Sequence, residues 1–172
     1  MVEKGIFMMI VADPDTSAVI GNRCYWILQP KGTTVPSVVL SVVATNDLYS
    51  TTGCTGLREM VLQMDSYASD AYSAAGLSRS LRLLWENYTG NLPDADATQV
   101  IATFISKDWM MPFEAGGKGF IYRNLLQVRM HYYDTELPVS TPSNPVAIID
   151  GGTGNGNDTG INTEATVDGG TT

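Results

Sequence analysis

The chain has 172 residues, the size of one domain with an additional segment, and this length excludes a large multidomain enzyme. Hydrophobic residues make up 44% and charged residues 16%, which is enough apolar material for a core but leaves few charges for the surface. Lys and Arg number 10 against 18 Asp and Glu, and the net charge of −8 disfavours a dedicated binder of nucleic acid or anionic membranes.

The longest apolar run covers residues 6–12, whereas a membrane-spanning helix needs about 20 apolar residues. No small-residue cleavage pattern follows this run, so we expect a product of the cytoplasm rather than a secreted one. Cys24 and Cys54 are too few for a disulfide framework or a structural zinc site, which predicts two free thiols.

The first elements are two short helices and two strands. Ile6, Met9 and Ile10 have helical spacing, and Pro14 ends this helix and can begin a second turn. Residues 23–28 and 37–44 are rich in β-branched and aromatic side chains. Gly and Pro residues separate these two segments, which predicts two paired strands.

A third strand and the principal helix follow. In residues 57–67, Met60, Leu62 and Met64 alternate with the opposite set Val61, Gln63 and Asp65, which is the period of a half-buried strand. Residues 68–88 carry apolar side chains at helical spacing and precede Gly90 and Pro93. We therefore expect a long helix that covers one face of a sheet.

The last elements are two strands with a long loop between them. Residues 100–105 are predicted as a strand and residues 106–119 as a loop that holds four large apolar side chains, Trp109, Met110, Met111 and Phe113. Residues 120–132 alternate between an apolar face and a polar face. The apolar face comprises Phe120, Tyr122, Leu126, Val128, Met130 and Tyr132, and the polar face comprises Arg123, Gln127, Arg129 and His131.

These elements predict an α+β fold, a mainly antiparallel sheet covered on one face by one long and one short helix, with long loops. The composition changes at Pro138, which divides the chain into a domain, residues 1–137, and a Gly/Thr/Asn-rich segment, residues 138–172. This segment has four acidic residues and no Lys or Arg, and we expect it to be extended or disordered unless a neighbouring chain holds it. Its residues 146–149, VAII, are its one candidate for an added strand.

Residues for catalysis or for a cofactor are not recognisable in the pattern. The GGKG run at 116–119 lacks the Ser or Thr and the earlier Gly of a P-loop. His131 is the only histidine, so the sequence offers no histidine cluster for a metal. The acids at positions 13, 15, 94 and 96 lie beside Pro and small residues, where capping and turns account for them. We expect no catalytic site, no metal, no cofactor and no enzymatic activity.

The order of elements and several segments resemble the tail-terminator, or tail-completion, family of long-tailed bacteriophages. The resemblance covers about residues 3–136, through a short N-terminal helix followed by residues 19–44, residues 56–85, a variable loop and residues 120–134. The positions that carry it are Pro36, Gly56, Leu57, Arg58, Asp65, Tyr67, Tyr122, Arg123, Arg129, Tyr132 and Tyr133. The segment after Pro138 and the Met-rich loop depart from the family pattern.

The resemblance implies a structural virion protein that assembles in the host cytoplasm as a homohexameric ring on the head-proximal end of the tail tube. Such a ring stops polymerisation of the tail tube protein and joins the tail to the head–tail connector or stopper protein, while genomic DNA passes through its lumen without specific binding. No membrane is involved. Other interpretations stay open: another neck, connector or minor tail protein, a small ligand-binding α+β domain, or an enzyme in which His131 lies near Cys24, Cys54 or a serine.

A cyclic ring needs two complementary patches on each subunit. We expect the loops at 45–55 and 106–119 to supply them, with buried aromatic side chains as anchors. The candidate interface residues are Asp47, Tyr49, Lys107, Trp109, Met111, Phe113, Lys118, Arg123 and Arg129. Two alternatives apply to members of this set: Trp109 and Phe113 cover the end of the sheet, or Lys107 and Lys118 line the channel.

Overall fold

The computed structural model describes residues 2–51, 53–93, 96–114 and 120–134. The helices are α1 (Val2–Ala12), α2 (Pro14–Ile20) and α3 (Ala71–Trp85). The strands are β1 (Cys24–Trp26), β2 (Ser37–Ser50), β3 (Gly53–Ala68), β4 (Gly90–Asn91), β5 (Gln99–Glu114) and β6 (Phe120–Tyr133). They form one sheet in the order β1-β2-β3-β6-β5-β4, in which β1 and β2 are parallel and the other pairs are antiparallel. The predicted α+β class is confirmed.

Side-chain caps explain where α2 and α3 begin. Asp13 accepts a hydrogen bond from the backbone N–H of Thr16 at 2.9 Å, and Pro14 occupies the first turn. Asp70 caps α3 in the same way, accepting from the backbone N–H of Ser73 at 2.8 Å. The capping role expected for Asp13 is therefore confirmed.

The core lies between the helices and one face of the sheet, which we call the core face. The predicted alternation of β3 is confirmed, because Met60, Leu62 and Met64 are buried on this face. In β6 the buried apolar residues are Leu126, Val128, Met130 and Tyr132, as the alternation of that strand predicts. The helices add Val2, Ile6, Ile10, Ile20, Leu77, Leu81 and Trp85 to the same core. Burial of these apolar side chains from water is the main stabilising contribution to the fold.

The prediction that residues 45–55 and 106–119 form loops is wrong for most of the residues that the structure describes there. Most of residues 45–55 belong to β2 and β3, which continue to Ser50 and from Gly53. In the second predicted loop, β5 does not stop at residue 105 but continues to Glu114. The strand residues of both segments that the structure describes are paired by backbone hydrogen bonds with a neighbouring strand, and this pairing overrides their weak local preference for strand structure.

Other predicted boundaries shift by a few residues. The principal helix is shorter than predicted, because Asp70 starts it and its last residue is Trp85. The first strand is reduced to Cys24–Trp26, and Ile27 follows with φ 65, a left-handed conformation that interrupts an extended strand. The strand and disorder predicted for parts of the segment 138–172 lie outside the described residues.

Candidate interaction surface

The face of the sheet opposite the core face carries polar and aromatic side chains, and we call it the open face. Along β3 it presents Glu59, Val61, Gln63 and Asp65, and along β6 it presents Arg123, Leu125, Gln127, Arg129 and His131. Along β5 it presents Phe104, Lys107, Trp109 and Met111. The described helices bury their apolar residues in the core on the other side, so none of these helices covers the open face.

A network of polar side chains crosses β3 and β6 in the middle of the open face. Arg123 Nη2 donates to Asp65 Oδ2 at 2.7 Å, and Gln63 Nε2 donates to the same oxygen at 3.0 Å. Gln127 Nε2 donates in turn to Gln63 Oε1 at 3.1 Å. Asp65 is only 5% exposed, and its hydrogen bond raises the pKa of Arg123. The network therefore fixes side chains on two neighbouring strands in one orientation.

A second polar group surrounds Glu59. His131 Nε2 lies 3.0 Å from Glu59 Oε2, and Arg129 Nε lies 3.7 Å from the same oxygen. The hydrogen bond with His131 and the charge of Arg129 lower the pKa of Glu59. The ring of His131 also contacts the ring of Phe104 edge to face, with 5.9 Å between the ring centroids, within the range of about 4.5–7 Å typical of such pairs. His131 is therefore oriented by a carboxylate and an aromatic ring.

Large apolar side chains on β5 border this polar region. Trp109 is 58% exposed and Phe104 is 50% exposed, and Lys107 lies between them on the open face. A shallow depression of about 420 Å³ is lined by Lys107, Asp108, Trp109, Leu125 and Gln127. An exposed tryptophan beside a depression is typical of a protein contact surface.

The opposite end of the sheet holds the β2–β3 arm, which consists of residues 48–51 and 53–56. Pairing of β3 with β6 begins at Leu57 and Tyr133, so the arm extends beyond β6. Arg58 stands at its base and bonds Asp47 at 2.7 Å and Asp134 at 2.6 Å. The hydrogen bond with Asp47 raises the pKa of Arg58. Tyr49, on the arm, is 71% exposed.

The structure separates the predicted interface residues into two groups. Lys107, Trp109, Met111, Arg123 and Arg129 share the open face, whereas Asp47 and Tyr49 belong to the end with the arm. Tyr49 pairs with Cys54 of β3, and Trp109 lies in the same cross-strand row as Asp65 of β3. Cys54 and Asp65 are about 36 Å apart along β3 at the usual rise per residue, and this distance separates the two groups. The side chain of Phe113 and the whole of Lys118 lie outside what the structure describes.

Exposure of Trp109 contradicts the alternative in which this side chain covers the end of the sheet. The alternation of β5 places Trp109 on the open face, away from the helices and the core. The sequence could not show this because the segment reads as a loop, and a loop has no alternating faces.

One feature of the site and one feature of the core were not predicted. The contact between Asp65 and Arg123 depends on β3 lying next to β6, which the sequence analysis did not specify. Trp85 is fully buried in the core, and the sequence analysis does not single it out. Its position one turn after Leu81 is the signal that would have identified it.

The cysteines and the acids show no arrangement for chemistry in the described part of the chain. Within the described residues, Cys24 and Cys54 form no disulfide bond, and burial raises the pKa of Cys24 to about 12. Across the described residues, His, Cys, Asp and Glu form no group of three or more that is able to hold a metal ion. None of the described helices is long and apolar enough to span a bilayer.

No protein-family model matches the sequence, and none of the curated proteins matches it significantly. Among solved structures, the chain is similar to one from the virion of a native gene transfer agent particle. The two align with a TM-score of 0.55 and 14% identity, over 77% of this chain and 95% of the other. The two chains therefore share a fold over almost the whole length of the virion chain.

Proposed function

We propose that the protein is a structural component of a phage-like virion. The observation that carries this proposal is the shared fold with a chain of a gene transfer agent virion, which this chain covers over 95% of its length. The separation of two exposed surfaces, the open face and the β2–β3 arm, supports the proposal, since a subunit of a ring needs two complementary patches.

Within the virion, the proposed role is that of a tail terminator. About six copies form a homohexameric ring on the head-proximal end of the tail tube, stop its polymerisation and join it to the head–tail connector or stopper protein. The ring assembles in the host cytoplasm and stays in the neck of the virion, and DNA passes through its lumen without specific binding. The role requires no catalysis, no cofactor and no membrane.

The polar chemistry of the open face supports a contact role. Its acids Asp65 and Glu59 are held by cations on the neighbouring strand, so they are already engaged in positioning side chains. The exposed apolar groups Phe104 and Trp109 border this ordered region. A rigid polar surface with aromatic side chains at its border fits a protein partner, because few side chains lose conformational freedom on binding.

The test mixes the purified full-length chain with the tail tube protein from the same source. Light scattering gives the mass of the chain alone and of the mixture, and negative-stain imaging shows the length of the tubes. We expect rings of about six subunits, or tubes that are capped at one end and limited in length. A strict monomer that neither binds nor caps the tubes overturns the proposal. Rings that bind the connector but leave tube growth unchanged assign the chain to another position in the neck.

A further inference from the structure

The segment that follows β1 exposes two large apolar side chains at one edge of the sheet. Ile27 is 79% exposed and Leu28 is 77% exposed, and we call these two residues the prong. The backbone N–H of Ile27 donates to the carbonyl of Leu40 at 2.7 Å, and the N–H of Leu28 donates to the carbonyl of Trp26 at 2.6 Å. Ile27 has φ 65, which a β-branched residue rarely adopts. A strained backbone that displays apolar groups to solvent is typical of a contact site.

The prong and the depression beside Trp109 lie at opposite edges of the sheet but at the same level along the strands. One cross-strand row of the open face consists of Tyr25, Val39, Asp65, Leu125 and Trp109. Ile27, two residues after Tyr25, is level with the next row of this face, which ends at Gln127 and Lys107. The ends of these two rows line the depression. Four strand spacings, about 19 Å across the sheet, separate the two sites, so they do not meet within one chain.

A second pair of exposed apolar side chains repeats this match along the same two edges. Phe104 is 50% exposed on β5, and its cross-strand row ends on β2 at Ala44. Val43, directly before Ala44, is 54% exposed. Among the described residues, β1 pairs with β2 only up to Leu40, and β4 pairs with β5 only up to Val100. Both edges therefore display apolar groups at two matching levels, on strands that have no described neighbour there.

The charges at the two edges permit a contact between them. The prong belongs to the segment 24–30, which contains no charged residue. The depression is lined by one cation, Lys107, and one anion, Asp108, whose charges offset each other. The carboxylate of Asp108 also lies 3.5 Å from the guanidinium of Arg82, so it does not need a cation from a partner. An apolar and uncharged occupant therefore suits this depression.

We propose that the prong of one copy docks in the depression beside Trp109 of the next copy, while Val43 of the first copy contacts Phe104 of the second. This inference rests on the proposed ring, and it names the contact that joins neighbouring copies. Because the contact joins two different edges, each copy still offers one prong and one depression to further copies until a ring closes. The matching levels mean that neighbouring copies need little displacement along the strands, as closure of a ring requires.

Cross-linking between two differently substituted full-length chains tests this contact. Both chains carry Cys54→Ser, and their remaining cysteine, Cys24, is buried. One chain carries Gln29→Cys, directly after the prong, and the other carries Lys107→Cys in the depression. In the control mixture, Tyr72→Cys on α3, where the tyrosine is 91% exposed, replaces Gln29→Cys. A short bismaleimide is added with and without the tail tube protein from the same source, and mass analysis gives the rate at which two chains are joined.

We expect the chains with cysteines at positions 29 and 107 to be joined at least about tenfold faster than those of the control mixture, because docking raises the local concentration of the thiols. Leu28→Glu in the first chain should reduce this rate to that of the control, since a charge then enters the apolar contact. The matched variant Leu83→Glu, at a leucine that is 68% exposed on α3, should leave the rate unchanged.

Three results overturn the proposed contact. The first is a rate equal to that of the control both with and without the tube protein, and the second is a rate that Leu28→Glu does not reduce. The third is fast joining of Lys107→Cys chains to each other, since the contact is then two-fold symmetric. Rings or capped tubes without the link between 29 and 107 overturn this contact but support the virion role. The link without any capping of tubes supports the contact and counts against the tail-terminator role.

Discussion

Arg123 and Asp65 form a hydrogen-bonded ion pair across β6 and β3, with 2.7 Å between Nη2 and Oδ2. The carboxylate is almost fully buried, and the guanidinium side chain is 23% exposed. Removing one partner leaves the other charge in a poorly hydrated position, whereas removing both leaves an apolar surface.

We therefore predict that Asp65→Leu lowers the free energy of unfolding by about 2–4 kcal/mol. The double variant Asp65→Leu with Arg123→Leu should recover at least half of that loss, because no buried charge is left without a partner. Urea unfolding of the two single variants and the double variant measures the coupling. Additive losses in the double variant would show that the pair does not stabilise the fold in this way.

The lowered pKa of Glu59 predicts that the stability of the fold depends on pH. His131 and Arg129 lower its pKa in the folded protein below the ordinary value of 4.5. The charged carboxylate therefore stabilises the fold above pH 4.5, and this contribution is lost as the pH falls through the lower folded-state pKa. We expect Glu59→Gln to flatten the loss of stability below pH 4.5, as measured by urea unfolding at a series of pH values.

Glu86→Gln is the matched control for this measurement. Glu86 pairs with Arg82 at 3.2 Å, but both side chains are more exposed than that of Glu59, so solvent screens the interaction. Glu86→Gln should change the pH dependence of the free energy of unfolding less than Glu59→Gln does. If the free energy of unfolding changed with pH equally in the two variants, the role assigned to the cluster around Glu59 would be contradicted.

The faces of the strands were predictable from the sequence, but their lengths and neighbours were not. Period-2 alternation places Leu62 and Val128 inside and Gln63 and Gln127 outside, because successive side chains of a strand point to opposite faces. The predicted strand ends at residue 105, whereas β5 continues through Pro112. Pro112 lies at the sheet edge, since β4 pairs with β5 only at Gln99 and Val100. A missing N–H is tolerated at such an edge.

The same distinction applies to the candidate surface. The sequence analysis points to Lys107 and Trp109 through their chemistry and to Arg129 through the family resemblance, and the structure places the three residues on one face. Their grouping depends on the pairing of β5 with β6, which brings together residues that are far apart in sequence. Local patterns do not specify such pairings, so the polar network around Asp65 could not be predicted either.

The contacts of Arg58 predict that its substitution lowers the local stability of the β2–β3 arm. It bonds Asp47 on β2 and Asp134 after β6, so it ties the arm to the rest of the sheet. We expect Arg58→Met to increase amide hydrogen exchange in residues 47–50 and 53–56 about tenfold, with a smaller effect on the core of β3. Mass spectrometry of deuterium uptake measures both regions.

Arg79→Met provides the control for this experiment. Arg79 is an exposed cation on α3, distant from the arm, and the substitution removes the same charge and adds the same side chain. Exchange in the arm should match that of the unsubstituted protein. An arm that exchanges equally in both variants would show that Arg58 does not anchor it.

A substitution of Trp109 distinguishes a side chain that contributes to assembly from one that contributes to folding. Its side chain is more than half exposed, so Trp109→Ser should change the free energy of unfolding by less than about 0.5–1 kcal/mol. As an aromatic anchor on the open face, it should nevertheless contribute strongly to contacts between molecules. We expect the variant to remain folded and to lose ring formation or tube capping at least about tenfold.

Tyr72→Ser is the matched control, because Tyr72 is a 91% exposed aromatic residue on α3, on the other side of the sheet. This variant should assemble and cap tubes like the unsubstituted protein. Light scattering and imaging of tube length compare the two variants at equal concentration. If both assemble equally well, Trp109 is not part of the contact surface. If Trp109→Ser is strongly destabilised, its side chain contributes to the fold, and Phe104→Ser becomes the variant that tests the open face.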